Sequence, residues 1–148
     1  MKEYGFVEFC DDYREEKNGK VTLVGLYQND LIVANFPALL PKFVMVINIM
    51  TFNKTTTDIP VEIEIDGEVI ITANTKFSWQ DKDLLKKLNI WRGAFPIILS
   101  PFVFQKEGAL TVRIGLNGKM ENIGQIYIRK PKQAMMHDQK AKKKKQKK

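Results

Sequence analysis

Val61-Glu62-Ile63-Glu64-Ile65 decides the reading of this chain, because apolar and acidic side chains alternate along it with a period of two. Successive side chains of a strand point to opposite faces, so this segment buries one face and wets the other. Working outward, Ala109–Leu116 repeats the pattern. Leu110, Val112, Ile114 and Leu116 point inward, while Thr111 and Arg113 point outward. Asn117-Gly118 follows at once and reads as a two-residue hairpin turn, since both residue types tolerate positive φ. The return strand is expected over Asn122–Arg129, with Ile126 and Ile128 inward.

A second turn signal, Asn18-Gly19, separates an N-terminal strand (about Tyr4–Tyr13) from another over Lys20–Gln28. Phe43–Phe52 is apolar on both faces apart from Asn48. It reads either as a central strand covered on both sides or as a strand whose second face meets a partner subunit. Burial within the chain is the commoner cause and is preferred. At Asp66-Gly67 two cues conflict. A two-residue loop pairs Ile65 with Glu68, whereas a three-residue loop pairs Ile65 with Val69 and Ile63 with Ile71. Register usually follows the buried face, which favours the longer loop or a bulge. One helix is expected: Ser78-Trp79-Gln80-Asp81 fits a capping box, Leu84, Leu85 and Leu88 form an apolar stripe, and Asn89 ends it. Several short strands with one helix capping an end describe an all-β, two-layer antiparallel sandwich.

Composition sets the boundaries. The chain has 148 residues and a formal net charge of +7. From Arg129 onward there are ten basic residues and one acid, Asp138, whereas residues 1–128 hold 14 basic and 16 acidic residues. The expected division is therefore a sandwich domain over residues 1–130 and a lysine-rich tail over residues 131–148, too polar to bury a core and expected to be disordered. The body suits one domain that buries roughly two-thirds of its unfolded surface. One cysteine, Cys10, excludes a disulfide framework and a cysteine-based zinc site. The N-terminus lacks a signal-peptide pattern, and the longest apolar run falls far short of the ~20 residues of a membrane span. A reducing, cytoplasmic location is the expectation.

The chemistry of catalysis is thin. The single histidine, His137, lies in the tail, so Cys10 has no imidazole partner and reads as a packing residue. Neither phosphate-cradling glycine motif occurs. Carboxylates cluster at Asp11-Asp12, Glu15-Glu16 and Glu62, Glu64, Asp66, Glu68. Such groups run glycoside hydrolysis or bind calcium in other settings, but here they read as solvated strand faces and turns. No cofactor or metal is expected, and the chain reads as a non-enzyme. Phe77, Trp79, Trp91 and Phe95 surround the expected helix; they form either an interaction patch or the seal of an open sandwich end. Lys140, Lys142, Lys143, Lys144, Lys145, Lys147 and Lys148 form a cationic cluster that attracts phosphates, whether of nucleic acid or of an anionic membrane. No aromatic residue or arginine is interleaved after Arg129, so base reading by the tail is not expected.

Two further stretches carry a resemblance. Glu16-Lys17-Asn18-Gly19-Lys20-Val21-Thr22-Leu23-Val24-Gly25-Leu26-Tyr27, followed by Phe36-Pro37-Ala38-Leu39-Leu40-Pro41-Lys42-Phe43, resembles a family of small bacterial proteins classed only as a domain of unknown function. Glu107-Gly108-Ala109-Leu110-Thr111-Val112 to Asn117-Gly118 resembles the last hairpin of many immunoglobulin-like domains. The resemblance implies an immunoglobulin-like β-sandwich, covers most of residues 5–128, and supplies no catalytic site. The tail lies outside it. Pro37 and Pro41 cannot donate to a ladder and place Phe36–Pro41 at a crossing or an edge, while Gly25 marks a bulge or close backbone approach.

The function expected from these features is a binding module with an unknown protein partner, a second copy of the chain among the candidates. Its cationic tail either attaches without sequence preference to nucleic acid or another polyanion, or serves only to keep the chain soluble with no specific partner. Two other readings stand beside it: a small-ligand or carbohydrate module using Trp79 and Trp91, and a structural protein of a phage or other assembly.

Overall fold

The alternation of the opening stretch is realised in β7 (Asp58–Ile65). Ile59, Val61 and Ile63 are buried, while Glu62 and Glu64 sit on the opposite, half-exposed face. The computed structural model describes residues 3–52, 58–76 and 91–132. Within them the chain is all-β, with no helix. The other strands are β1 (Tyr4–Cys10), β2 (Asp12–Glu15), β3 (Val21–Val24), β4 (Asp30–Ile32), β5 (Ala38–Leu40), β6 (Phe43–Thr51), β8 (Glu68–Lys76), β9 (Trp91–Leu99), β10 (Phe102–Phe104), β11 (Gly108–Leu116) and β12 (Lys119–Arg129). The capping helix expected over 78–89 falls outside the described residues.

A five-stranded sheet runs in the order β4-β12-β11-β7-β8, and a three-stranded sheet in the order β1-β6-β9. Two small sheets, β10-β5 and β2-β3, complete the described strands. The main core lies between the two larger sheets. Ile59, Val61, Ile63, Leu110, Val112, Ile114, Leu116, Ile126 and Ile128 face it from one, and Phe43, Met45, Ile47 and Ile49 from the other. One pair departs from the antiparallel expectation: β4 runs parallel to β12, matching Leu31 with Ile128.

β6 is buried on both faces, as its continuous apolar run implies. Its odd positions enter the main core. Val44 and Val46 instead join Cys10 in a second cluster, which Tyr13 and Leu23 of the β2–β3 hairpin cover. The second face is thus closed by the chain itself. Asn48, the polar exception, donates to Glu8 Oε2 (3.2 Å) and to the Val46 carbonyl (3.4 Å).

Two expected boundaries need correction, and at a third the bulge rather than the longer loop is realised. The Tyr4–Tyr13 strand breaks at Asp11, whose amide donates to the Val24 carbonyl (3.0 Å) as the chain leaves the three-stranded sheet for the hairpin. The Lys20–Gln28 strand ends at Val24, because Gly25 adopts a φ of 67°. The loop between β7 and β8 has two residues rather than three: Asp66 and Gly67 both lie at positive φ (51° and 82°), and Ile65 pairs with Glu68. A bulge then restores the apolar match of Ile63 with Ile71 and leaves Ile70 as the extra, exposed residue. Asp66 earns its strained position by accepting the Ala109 amide (2.9 Å), which ties this turn to the start of β11. At the other end of β11, Asn117 and Gly118 form the expected turn. Glu3 clamps it: its amide donates to Asn117 Oδ1 (2.9 Å), and its carboxylate accepts the Asn117 amide (2.9 Å).

Candidate functional site

Among the described residues, one edge strand of each larger sheet borders the same groove. β8 is the outer strand of the five-stranded sheet and β9 the outer strand of the three-stranded one. Between their ends and the β2–β3 hairpin lies a groove of about 600 Å³. β9 contributes Arg92, Gly93, Ala94 and Phe95, and β8 contributes Thr75 and Lys76. The hairpin supplies Tyr13, Glu15, Glu16, Gly19, Lys20 and Val21.

The electrostatics of the groove are uneven. Its two carboxylates are engaged on the hairpin that carries them: Glu16 accepts from Thr22 Oγ1 (2.6 Å), and Glu15 accepts from the Tyr13 hydroxyl (3.4 Å). Burial, helped by Glu15, raises the Tyr13 phenol above its usual pKa. Its three cations, Lys20, Lys76 and Arg92, are exposed, and none forms an ion pair among the described residues. They therefore keep their charge available to a ligand.

Of the aromatic patch expected from the sequence, Phe95 is placed in this groove. It pairs with Ile47 across the sheet and packs, half-buried, against the main core. Phe77 and Trp79 lie outside the described residues. Trp91 opens β9 opposite Thr51. The tail lysines, Lys140, Lys142, Lys143, Lys144, Lys145, Lys147 and Lys148, also lie outside the described residues.

The structure places the other sequence candidates elsewhere. Asp11 and Asp12 diverge: Asp11 accepts from the Tyr27 hydroxyl, whereas Asp12 accepts from Lys42 Nζ and Arg14 Nε. The hydrogen bonds from Lys42 and Arg14 hold the Asp12 carboxyl down at about 2. Burial first, then the Asp11 hydrogen bond, pushes the Tyr27 phenol well above its usual value. Glu62 and Glu64 share Arg113, whose Nη1 lies 2.8 Å from Glu64 Oε1 and 3.4 Å from Glu62 Oε2. Cys10 is fully buried, donates to the Asp12 carbonyl (3.4 Å) and has its pKa raised mainly by burial. Among the described residues no group of three His, Cys, Asp or Glu side chains is placed to hold a metal ion, and no helix is long and apolar enough to cross a membrane.

The basic end is sharpened by the structure. Arg129 belongs to β12, and its guanidinium binds Asp30 Oδ2 through Nε (2.9 Å) and Nη2 (2.6 Å). The Lys130 amide donates to Glu107 Oε1 (2.9 Å). Residues 1–130 contain 16 basic and 16 acidic residues, so the entire +7 resides in residues 131–148. By sequence position Arg129 belongs to the basic stretch, but Asp30 already matches its charge.

The groove cations were not singled out from the sequence. Positions 20, 76 and 92 are remote from one another along the chain, and only the docking of the hairpin beside β9 gathers them.

A family model described as a family of unknown function (DUF6941) matches residues 6–129. No curated protein and no solved structure matches the chain.

Proposed function

The chain belongs to that family of unknown function, and from this premise we propose that it is a non-enzymatic binding module: an immunoglobulin-like sandwich that makes protein contacts and carries a cationic segment for polyanions. The observation that carries the reading is the partition of charge. The family match stops at residue 129, the sandwich up to residue 130 is formally neutral, and the segment beyond it holds eight lysines against one acid. Clustered lysines bind phosphates through counterion release, without reading sequence. The body would contribute specificity through its surface, and the groove at the sheet edges is the described feature that suits a partner. The lone cysteine, buried as a packing residue, fits a reducing, cytoplasmic setting.

The test is binding of mixed-sequence DNA and RNA by the full chain and by a chain ending at residue 132. At low salt the full chain should bind both, with affinity falling steeply as salt rises, and the shortened chain should lose about tenfold or more. Unchanged affinity in the shortened chain would end the polyanion assignment.

A further inference from the structure

Four consecutive residues of β9, Arg92 to Phe95, line the groove. Side chains alternate along a strand, so one face alone supplies every second residue. A consecutive run means that the groove follows the main-chain edge of β9. Among the described residues that edge has no partner, since β9 pairs with β6 on its other side. It therefore presents N–H and C=O groups to the groove, and an unpaired edge of this kind is a template for an added strand. Pro96 lacks an N–H and closes the donor row just beyond Phe95. The site has a defined length and a defined chemistry: a strand edge of about four residues in a groove lined also by Lys20 and Lys76, with the cation of Arg92 and the half-buried ring of Phe95 on the edge strand itself.

We propose that this groove receives an extended acidic peptide segment of a protein partner, added as a strand to the free edge of β9 at Arg92–Phe95. The backbone of the segment bonds to the β9 edge. Its acidic side chains, at alternate positions, meet the three cations, and its intervening apolar side chains pack toward Phe95. Charge complementarity selects the occupant, because the cations carry no ion pair among the described residues while Glu15 and Glu16 are hydrogen-bonded on their own hairpin. This inference rests on the binding-module reading and names the partner chemistry of its body.

The experiment uses the full chain at physiological ionic strength and a labelled peptide, Glu-Val-Glu-Val-Glu-Val, read by fluorescence anisotropy. The lysine tail also attracts acidic peptides, so two variants separate the sources: K76E/R92E in the groove, and the tail with Lys142, Lys143, Lys144 and Lys145 all changed to Gln. Both groove positions are exposed, and thermal unfolding followed by circular dichroism checks that the first variant keeps the fold, since Lys76 lies opposite Asp58. The proposal expects K76E/R92E to weaken peptide binding about tenfold or more, and the tail variant to weaken it no more than about twofold. The same peptide N-methylated at alternate positions, which cannot complete a ladder, should lose a comparable factor. The groove assignment is overturned by no binding, by equal binding of the N-methylated peptide, or by a loss that follows the tail lysines. In that last case nucleic-acid binding by the tail variant still judges the polyanion reading separately.

Discussion

Gly25 and Asp11 show how closely single residues decide this fold. Gly25 sits at a φ of 67°, and a β-carbon there would lie 1.9 Å from Asp11 Oδ2. Gly25→Ala therefore combines left-handed strain of about 1–3 kcal/mol with displacement of the carboxylate that holds Tyr27. We expect a clear loss of stability in urea unfolding, larger than that of Gly19→Ala, where the added carbon meets nothing within 4 Å. Asp12 gives a prediction with a sign. Its carboxyl is depressed to about 2, so its stabilising contribution is present above the ordinary aspartate range near pH 4 and is lost as pH falls toward 2. Lys42→Ala removes the main cause and should raise the Asp12 pKa toward its usual value, as read by carboxylate NMR titration. At this scale the sequence was informative where chemistry is local. Cys10 read as a packing residue because it ends an apolar strand, and it is buried in the second cluster beside Val44 and Val46. The partners of Asp11 and Asp12 were not legible, since Tyr27 and Lys42 reach them only after the hairpin folds back.

At the scale of elements, β6 organises the molecule. It is the middle strand of its sheet, and Phe43 stacks near Phe9 and Phe102 and meets Phe104 edge-on. Phe43→Ala should cost about 3–5 kcal/mol by chemical denaturation, because the aromatic cluster cannot collapse around the gap. Val44→Ala on the other face removes less volume from a smaller cluster and should cost less. Strands with a clean period of two, β7 and β11, were readable from sequence because burial on one face writes itself into alternate positions. The three-residue strands β4, β5 and β10 were not, since so short a segment shows no period and exists by virtue of its partner. β9 hid for another reason: Trp91-Arg92-Gly93-Ala94-Phe95-Pro96-Ile97-Ile98-Leu99 mixes small, aromatic and proline residues without alternation. The β7–β8 loop shows two cues sharing one outcome. Positive φ at Asp66 and Gly67 set the turn, and the bulge at Ile70 recovered the buried face.

At the scale of the whole molecule, formal charge is unevenly distributed along the chain. Residues 1–130 carry no net formal charge, and the +7 lies in residues 131–148. A chain ending at residue 132 should thus keep the thermal midpoint of the full chain, measured by circular dichroism, while its elution from a cation exchanger moves to markedly lower salt. The excess of basic residues beyond residue 130 was legible because composition alone reveals it. The groove was not, because its residues come from four separate strands and turns that only the assembled sheets bring together. The Glu3 clamp spans the chain in the same way, joining its third residue to a turn more than a hundred positions later. It also governs how the protein ages. An Asn-Gly pair deamidates when the glycine amide nitrogen attacks the asparagine side-chain carbonyl carbon, expelling ammonia and closing a succinimide that water then opens to aspartate or isoaspartate. Asn117 is held against that rotation by Glu3 and Glu121, whereas Asn18, in a similar left-handed turn, has no side-chain hydrogen bond among the described residues. Stored protein should accumulate acidic charge isoforms whose peptide maps place the first isoaspartate at Asn18, with Asn117 following only once the N-terminus is released.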